Sequence, residues 1–412
     1  MVKISRYILV IIAVVGFAIT LPKLYWMAFS TPNRAPFIMY SCIENDFMIQ
    51  RSVEDGLLRE DTRGNEYTRE QYEEKLPFLY VRQLLMSNTM PDSINGIEMD
   101  THEISMHRST FRVQPKDLKT PAVKLYPLFE AESGRAALEM PEDYFRISWR
   151  MEFVNAKTNK VNEEKSRLFS AALYNDGFEF PAKSINGLPT TRKSCDEGYL
   201  IIDSKDQLFH LKMIQAEPYV EKVKLPENLK FKYISCVDFR DKKYYAYLFS
   251  TDNEMYVLTQ DEYELKKFPI ANLDPEKDVI RIYGDLFNYD VIVNGDHFVN
   301  VYVLDANYNF VDEYKESWPA PMEKTEGKVF QALFPGQISM TNPDSNFVKF
   351  FTKINTSFYW IALSILLIVA QFIIVRKRQA TLSKNILDFI VIGISGIFGF
   401  LAVNIFPNKF FD

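Results

Sequence analysis

Three cysteines in 412 residues, Cys42, Cys195 and Cys236, are too few and too scattered for a disulfide framework or a thiolate metal site. One pair, Cys195 with Cys236, could bridge neighbouring strands; buried or free thiols are the alternative. Histidine is nearly as scarce, at four. His102 and His107 lie five apart in what reads as a strand or loop, a spacing that puts them on no common face and excludes a zinc pair there. The chain has no glycine-rich loop ending in Gly-Lys-Ser/Thr, which excludes ATP hydrolysis of that type. It also has no Gly-x-Ser-x-Gly elbow and no His-Glu-x-x-His helix. No catalytic residue, metal or cofactor is indicated.

Positive charge is in deficit over most of the chain. Residues 1–30 hold three basic residues and 354–412 hold five, against two acidic ones. Subtracting these from 48 basic and 54 acidic residues leaves 40 against 52 in 31–353, a net of −12. A region that acidic repels phosphate backbones, so nucleic acid is excluded as a partner and a soluble, exposed domain is implied.

What the chain does have is long apolar runs. Residues 358–375 are interrupted only by Ser364 and Gln371 and stop at Arg376-Lys377-Arg378; residues 386–406 form a second run. Each is long enough to cross a bilayer as a helix at ~1.5 Å per residue. The loop 376–385 carries four basic residues and no acidic one, which places it in the cytoplasm. A tail at 407–412 would then lie outside. Asp388, near the cytoplasmic end, is expected at the interface within reach of water. Residues 1–30 open with Lys3 and Arg6 before an apolar stretch, and read as a signal anchor with Tyr25 and Trp26 at the interface; a cleavable signal peptide is the alternative. Together these predict three transmembrane helices in contact with a lipid bilayer, with the N-terminus inside and the large domain exported. Ser395, Gly396 and Gly399 present small residues for close helix packing.

Between the spans, residues 31–140 read as a mixed α/β segment. Residues 66–90 are helix-forming but interrupted by Pro77, so two shorter helices are expected. From 141 to 334 the period becomes that of strands. Phe209, Tyr256 and Tyr302 mark strand cores 47 and 46 residues apart, each after an Asp (Asp206, Asp252, Asp296) in a turn. That interval suits propeller blades; a β-sandwich is the alternative. Residues 335–357 read as a linker. The densest polar stretch runs from Asn186 to Tyr199, and Lys193, Asp196, Glu197 and His210 are candidate ligand-binding residues.

The motifs Glu164-Lys165-Ser166-Arg167-Leu168-Phe169, Gly177-Phe178-Glu179-Phe180-Pro181-Ala182 and Pro189-Thr190-Thr191-Arg192-Lys193 through Asp196-Glu197-Gly198-Tyr199 resemble those of a bacterial envelope family of the Bacteroidota, a domain of unknown function. Leu76-Pro77-Phe78-Leu79-Tyr80 and Met90-Pro91-Asp92 fit as well. The resemblance implies a bacterial inner-membrane protein with a periplasmic domain that accompanies an ABC-transporter permease and ATPase, and it carries no catalytic residues. The expected role is a non-catalytic accessory subunit; the alternative is a membrane-anchored envelope hydrolase acting on glycan or peptide.

Overall fold

The computed structural model describes residues 2–30, 35–121, 123–134, 137–193, 196–239, 241–271, 273–340, 348 and 350–408. Two compact units emerge. One comprises Met1–Arg34, Asp296–Phe298 and Ser317–Asp412; the other comprises Ala35–Gly295 and Val299–Glu316.

In chain order, the first helix, α1 (Val2–Phe29), precedes a three-stranded antiparallel sheet A within 37–61. Two short helices follow, α2 (Arg69–Lys75) and α3 (Val81–Ser87), on either side of Pro77 as the sequence predicts. Thr68 starts the first with a reciprocal capping box to Gln71. Next come α4 (Thr101–His107) and α5 (Pro115–Lys119), with the strand Ser109–Val113 between them. His102 and His107 thus lie on a helix, where a strand or loop was expected, because Asp100 caps its start through the His102 amide. Sheet B (within 126–162) leads into α6 (Glu163–Asn175). Sheets C (184–223), D (231–267) and E (279–317, plus Ser109–Val113 at its edge) complete the β unit.

Strands Leu208–Ile214, Met255–Thr259 and Phe298–Asp305 are each the third in sequence of their own antiparallel meander. The 46–47-residue interval is therefore a real structural repeat. The turns are organised a few residues away from two of the three aspartates singled out above. Asp203, Ser250 and Asp305 accept backbone N–H bonds across the loop, and Asp206, Asn253 and Tyr308 take the left-handed backbone. The described strands form neither a closed propeller nor a two-sheet sandwich; the larger sheets are five separate ones.

These sheets stack. Phe145, Phe153 and Phe169 of sheet B and α6 share a core with Ile201, Phe209 and Leu211 of sheet C. The other face of sheet C (Leu200, Leu208) packs with Ile234, Leu248 and Leu258 of sheet D. Sheet D meets sheet E through Phe111 and Tyr247, 4.4 Å between rings. Sheet E meets sheet A through Asp290, which accepts from the Tyr40 amide at 2.8 Å, and through the Arg51–Glu316 ion pair. Burial on both faces explains why strands such as Tyr244–Ser250 are apolar without alternation.

In the other unit, α1 is joined by α7 (Thr325–Leu333), the hairpin of Gly336–Ser339 with Phe351–Ile354, α8 (Tyr359–Lys377), α9 (Ile386–Ser395) and α10 (Ile397–Ile405). Two helices, over Ile4–Phe29 and Tyr359–Lys377, are long and apolar enough to cross a membrane. The third predicted span is not one helix. Residues 386–406 break at Gly396, whose φ of 57° and ψ of −129° end α9 and reverse the chain into α10. At ~1.5 Å per residue neither half crosses a hydrocarbon core of about 30 Å.

The two halves form a hairpin that opens toward the 376–385 loop. Asn404 Nδ2 donates to Gln371 Oε1 at 2.7 Å, and Asn408 Nδ2 donates to the Lys384 carbonyl at 2.9 Å. Asn408 therefore returns to the end of the unit that holds the basic loop, contrary to a tail on the opposite side. Asp388 is also corrected. It is only 2% exposed, because Arg6 donates to both of its oxygens at 2.8 Å. Arg6 Nε donates in addition to the Phe406 carbonyl at 2.8 Å.

Candidate functional site

The polar stretch chosen from sequence is the connection between the first two strands of sheet C, Ser184–Gly187 and Tyr199–Ile202. It ends at Gly198, whose φ is +69° and whose missing Cβ would strike the carbonyl of Leu211 on the next strand. Only glycine lets the loop close against that strand.

Lys193 is 4% exposed and acts as an internal pin. Its ammonium pairs with Asp196, reaches Asp238 at 3.1 Å and donates to the Leu188 carbonyl at 2.9 Å, over the Phe129 ring. Glu197 points to a second cation set, pairing with Lys212 and lying 3.8 Å from Lys242. His210 is 1% exposed. Its Nε2 faces the Glu197 carbonyl, which can only accept, so Nε2 carries the proton and Nδ1 accepts from Tyr263 Oη at 2.9 Å. Burial pushes the imidazole down to about 3, with Lys212 acting in the same direction. The ring is a neutral structural cross-link.

The four candidates thus form two adjoining clusters. Three of them are sealed: Asp196, Glu197 and His210 are buried and bonded inward. Sequence reasoning missed Asp238, because it arrives from sheet D, 42 positions beyond Asp196 in the chain. Burial pushes the Asp238 carboxyl up to about 6 against the pull of Lys193. The Cys195–Cys236 pairing lies outside the described residues. Cys236 is a free thiol donating to the Asn186 carbonyl at 3.2 Å, and burial pushes it up to about 12.

Lys193 and Asp238 form part of the wall of an open cleft of about 1620 Å³. The remaining wall comes from α3, α4, the strand Ser109–Val113, Ala137, the 188–193 loop and residues 235–239 of sheet D and its connection. It includes the exposed Leu85 and Met86 and four arginines, Arg82, Arg108, Arg112 and Arg192. Among the described residues, no group of three His, Cys, Asp or Glu side chains could hold a metal ion.

The small residues sit elsewhere and face inward. A Cβ on Gly399 would meet Ser395 Oγ and the Val391 carbonyl, the latter at 2.7 Å, and Gly396 lies against Ser364. Ser395 itself donates to Val391 at 2.7 Å. Gly399 and Ser395 let α9 and α10 approach each other, while Gly396 turns the chain against Ser364 of α8.

A mainly β unit of small stacked sheets, in one chain with a unit of apolar helices drawn from both ends, defines the class. The chain belongs to the DUF4857 family, a domain of unknown function, whose pattern matches residues 37–304. A search of curated proteins finds no match. Among solved structures, the Dos1 propeller is 9% identical, with a TM-score of 0.26 over 68% of this chain and 60% of that one. The Cps50 (Swd1) β-propeller domain of Myceliophteria thermophila is 6% identical, at 0.24, over 71% and 91%. The dihydro-heme d1 dehydrogenase NirN is 10% identical, at 0.22, over 56% and 57%. This chain spans 60% of the Dos1 structure's length. Likeness at this level carries no argument about function.

Proposed function

We propose that this protein is a membrane-anchored, non-catalytic accessory subunit, whose exported β unit binds a ligand or partner while its helices dock beside the membrane domain of an ABC-type transporter. The observation that carries the reading is the way α1 is built into its unit. Arg6 is locked to Asp388, Val10 packs with Ile392, Ala402 and Val403, and Tyr25 Oη donates to the Glu326 carbonyl at 2.7 Å. Such bonding supports a retained anchor over a cleaved leader. Outward-facing Ile8, Ile11, Ile12, Leu366 and Val369 are left exposed, a surface suited to lipid or to another protein's helices.

Lys3, Arg6 and the basic 376–385 loop are placed inside, in a bacterial inner membrane, with the β unit periplasmic. The α9–α10 hairpin then enters and leaves from the inner side. The propeller-like reading of the β unit is supported by its 46–47-residue repeat of stacked meanders. The ABC-type partner rests on the family resemblance.

The test is purification of the native protein in mild detergent, with mass spectrometry of what accompanies it. A stoichiometric permease and ATPase is the expected result; a protein that purifies alone refutes the accessory role. One observation favours a second reading, a hydrolase of glycan or peptide. Asp238, on the cleft wall, has its carboxyl pushed up to about 6, where it can act as a general acid. That reading requires an activity abolished by Asp238→Asn in a folded protein.

A further inference from the structure

We infer that the cleft of the β unit is a binding site for an acidic phospholipid, its arginines taking the phosphate and Leu85 and Met86 the apolar part. The inference rests on the membrane-anchored reading above and names the ligand of that site.

The charge balance carries it. The region 31–353 has a net charge of −12, yet the cleft gathers Arg82, Arg108, Arg112, Arg192 and Lys193 against Asp238 alone. Lys193 and Asp238 are already paired, so the surplus belongs to the four arginines. Elsewhere in the β unit, Arg51, Arg63, Arg69, Arg146 and Arg150 each touch a carboxylate, while Arg59, Arg167 and Arg281 stand without one among the described residues but line no common cleft. Among the described residues, none of the four cleft arginines touches a carboxylate. Arg112 donates to the neutral Gln114 amide at 3.0 Å, and Arg108 makes only a 3.5 Å approach to the Leu79 carbonyl. Four guanidinium groups arriving from three stretches of chain, without a carboxylate partner among the described residues, leave planar donor forks available to a ligand. Phosphate oxygens satisfy such forks two bonds at a time.

The lining also favours a lipid over a free anion. Met86 is 76% exposed and Leu85 46% exposed, next to the arginine of their own helix. An inorganic ion would leave that apolar surface wet, whereas the glycerol and first acyl carbons of a lipid would cover it. The open cleft, about 1620 Å³, leaves room for an amphiphile beyond its phosphate. An acidic peptide from a partner protein would meet the same charges, and the test separates the two.

Full-length protein in a nonionic detergent is titrated with dihexanoyl phosphatidylglycerol below its micelle concentration, following binding by isothermal titration calorimetry. Dihexanoyl phosphatidylcholine, inorganic phosphate and a poly-glutamate peptide are run in parallel. The same titrations are made on a variant carrying Arg82→Gln, Arg108→Gln, Arg112→Gln and Arg192→Gln. Saturable binding of the glycerol lipid, at least tenfold tighter than the choline lipid or phosphate and weakened at least tenfold in the variant, is the expected result. Equal binding of the two lipids, or binding unchanged in the variant, overturns the site. Tighter binding of poly-glutamate than of lipid replaces the lipid with a protein partner. If the fourfold variant fails to fold, Arg192→Gln on its exposed loop must still weaken binding severalfold, and no loss there refutes the inference. A partner found by co-purification together with failed lipid binding removes this inference alone.

Discussion

The Arg6–Asp388 pair is the most consequential contact in the helical unit, and its energetics can be worked out in advance. Both side chains are almost completely buried, at 0% and 2% exposure, and three 2.8 Å hydrogen bonds fix the guanidinium to Asp388 and the Phe406 carbonyl. Two unit charges ~4 Å apart attract by about 4 kcal/mol at an effective dielectric constant of 20. Deleting one partner strands the other in a site that water does not reach, at a cost of about 3–5 kcal/mol. Asp388→Leu should therefore lower the melting temperature of the helical unit by many degrees in mild detergent. The double variant Arg6→Met/Asp388→Leu should recover most of that loss, since no charge is then left behind. Tryptophan fluorescence reads the unit selectively, because Trp26, Trp318 and Trp360 belong to it and only Trp149 belongs to the β unit. An Asp388→Leu protein that melts like the parent, or a double variant no more stable than the single, would show that the pair does not hold α1 to the hairpin.

Three further outcomes follow from the same packing. Gly399→Leu should open the α9–α10 hairpin through its clash with the Val391 carbonyl, lowering the melting temperature while the β unit stays folded by limited proteolysis. Lys193→Met should cost about 3 kcal/mol, because Asp196 and Asp238 lose their shared cation; urea unfolding of the β unit measures it. For His210 the sign can be worked out. Its folded pKa of about 3 lies below the ordinary 6.5, so the unfolded chain takes up a proton first and this group's contribution is lost as pH falls from 6.5 toward 3. Asp238, raised from 3.8 to about 6, acts oppositely: the folded form holds its proton longer, so its contribution falls as pH rises through 4–6. The two partly cancel in the parent protein. Comparing His210→Gln with the parent isolates the histidine, and the destabilisation measured at pH 7 should shrink by a few kcal/mol by pH 4. A pH-independent difference would contradict a buried neutral ring.

Local features were legible in the sequence and long-range ones were not. Pro77 announced the break between α2 and α3, because a proline in a helix interior removes a backbone hydrogen bond and crowds the preceding turn. The interval from Phe209 to Tyr256 to Tyr302 exposed the sheet repeat, because each copy places the same buried strand at the same point in a meander. The 386–406 run misled, because hydropathy reads length and apolarity but not direction. Ser395, Gly396 and Gly399 were the available sign of a reversal and read as a face for another helix; for Ser395 and Gly399 that helix proves to be the other half of the same segment. An opposite charge in each of two apolar segments, Arg6 and Asp388, hinted at a pair 382 positions apart, but no spacing rule connects them. In the polar loop, the residue types drew attention to the right place. Their pairing with Asp238 and Lys212, which decides that they are structural, depends on the neighbouring strand of sheet C and on sheet D. The cleft arginines arrive from three separate stretches of chain, and each looks like an ordinary surface residue in sequence.

The account stands or falls on a helical unit set in a bilayer with a hairpin entering from the side of the basic loop. Single cysteines placed at Thr158, Ser383 and Asn408, in a chain otherwise freed of cysteine, can be labelled in intact cells with a membrane-impermeant maleimide. Thr158→Cys should react from outside, while Ser383→Cys and Asn408→Cys should both react only after permeabilisation. External labelling of Asn408→Cys with Ser383→Cys protected would contradict the hairpin and restore a third membrane crossing.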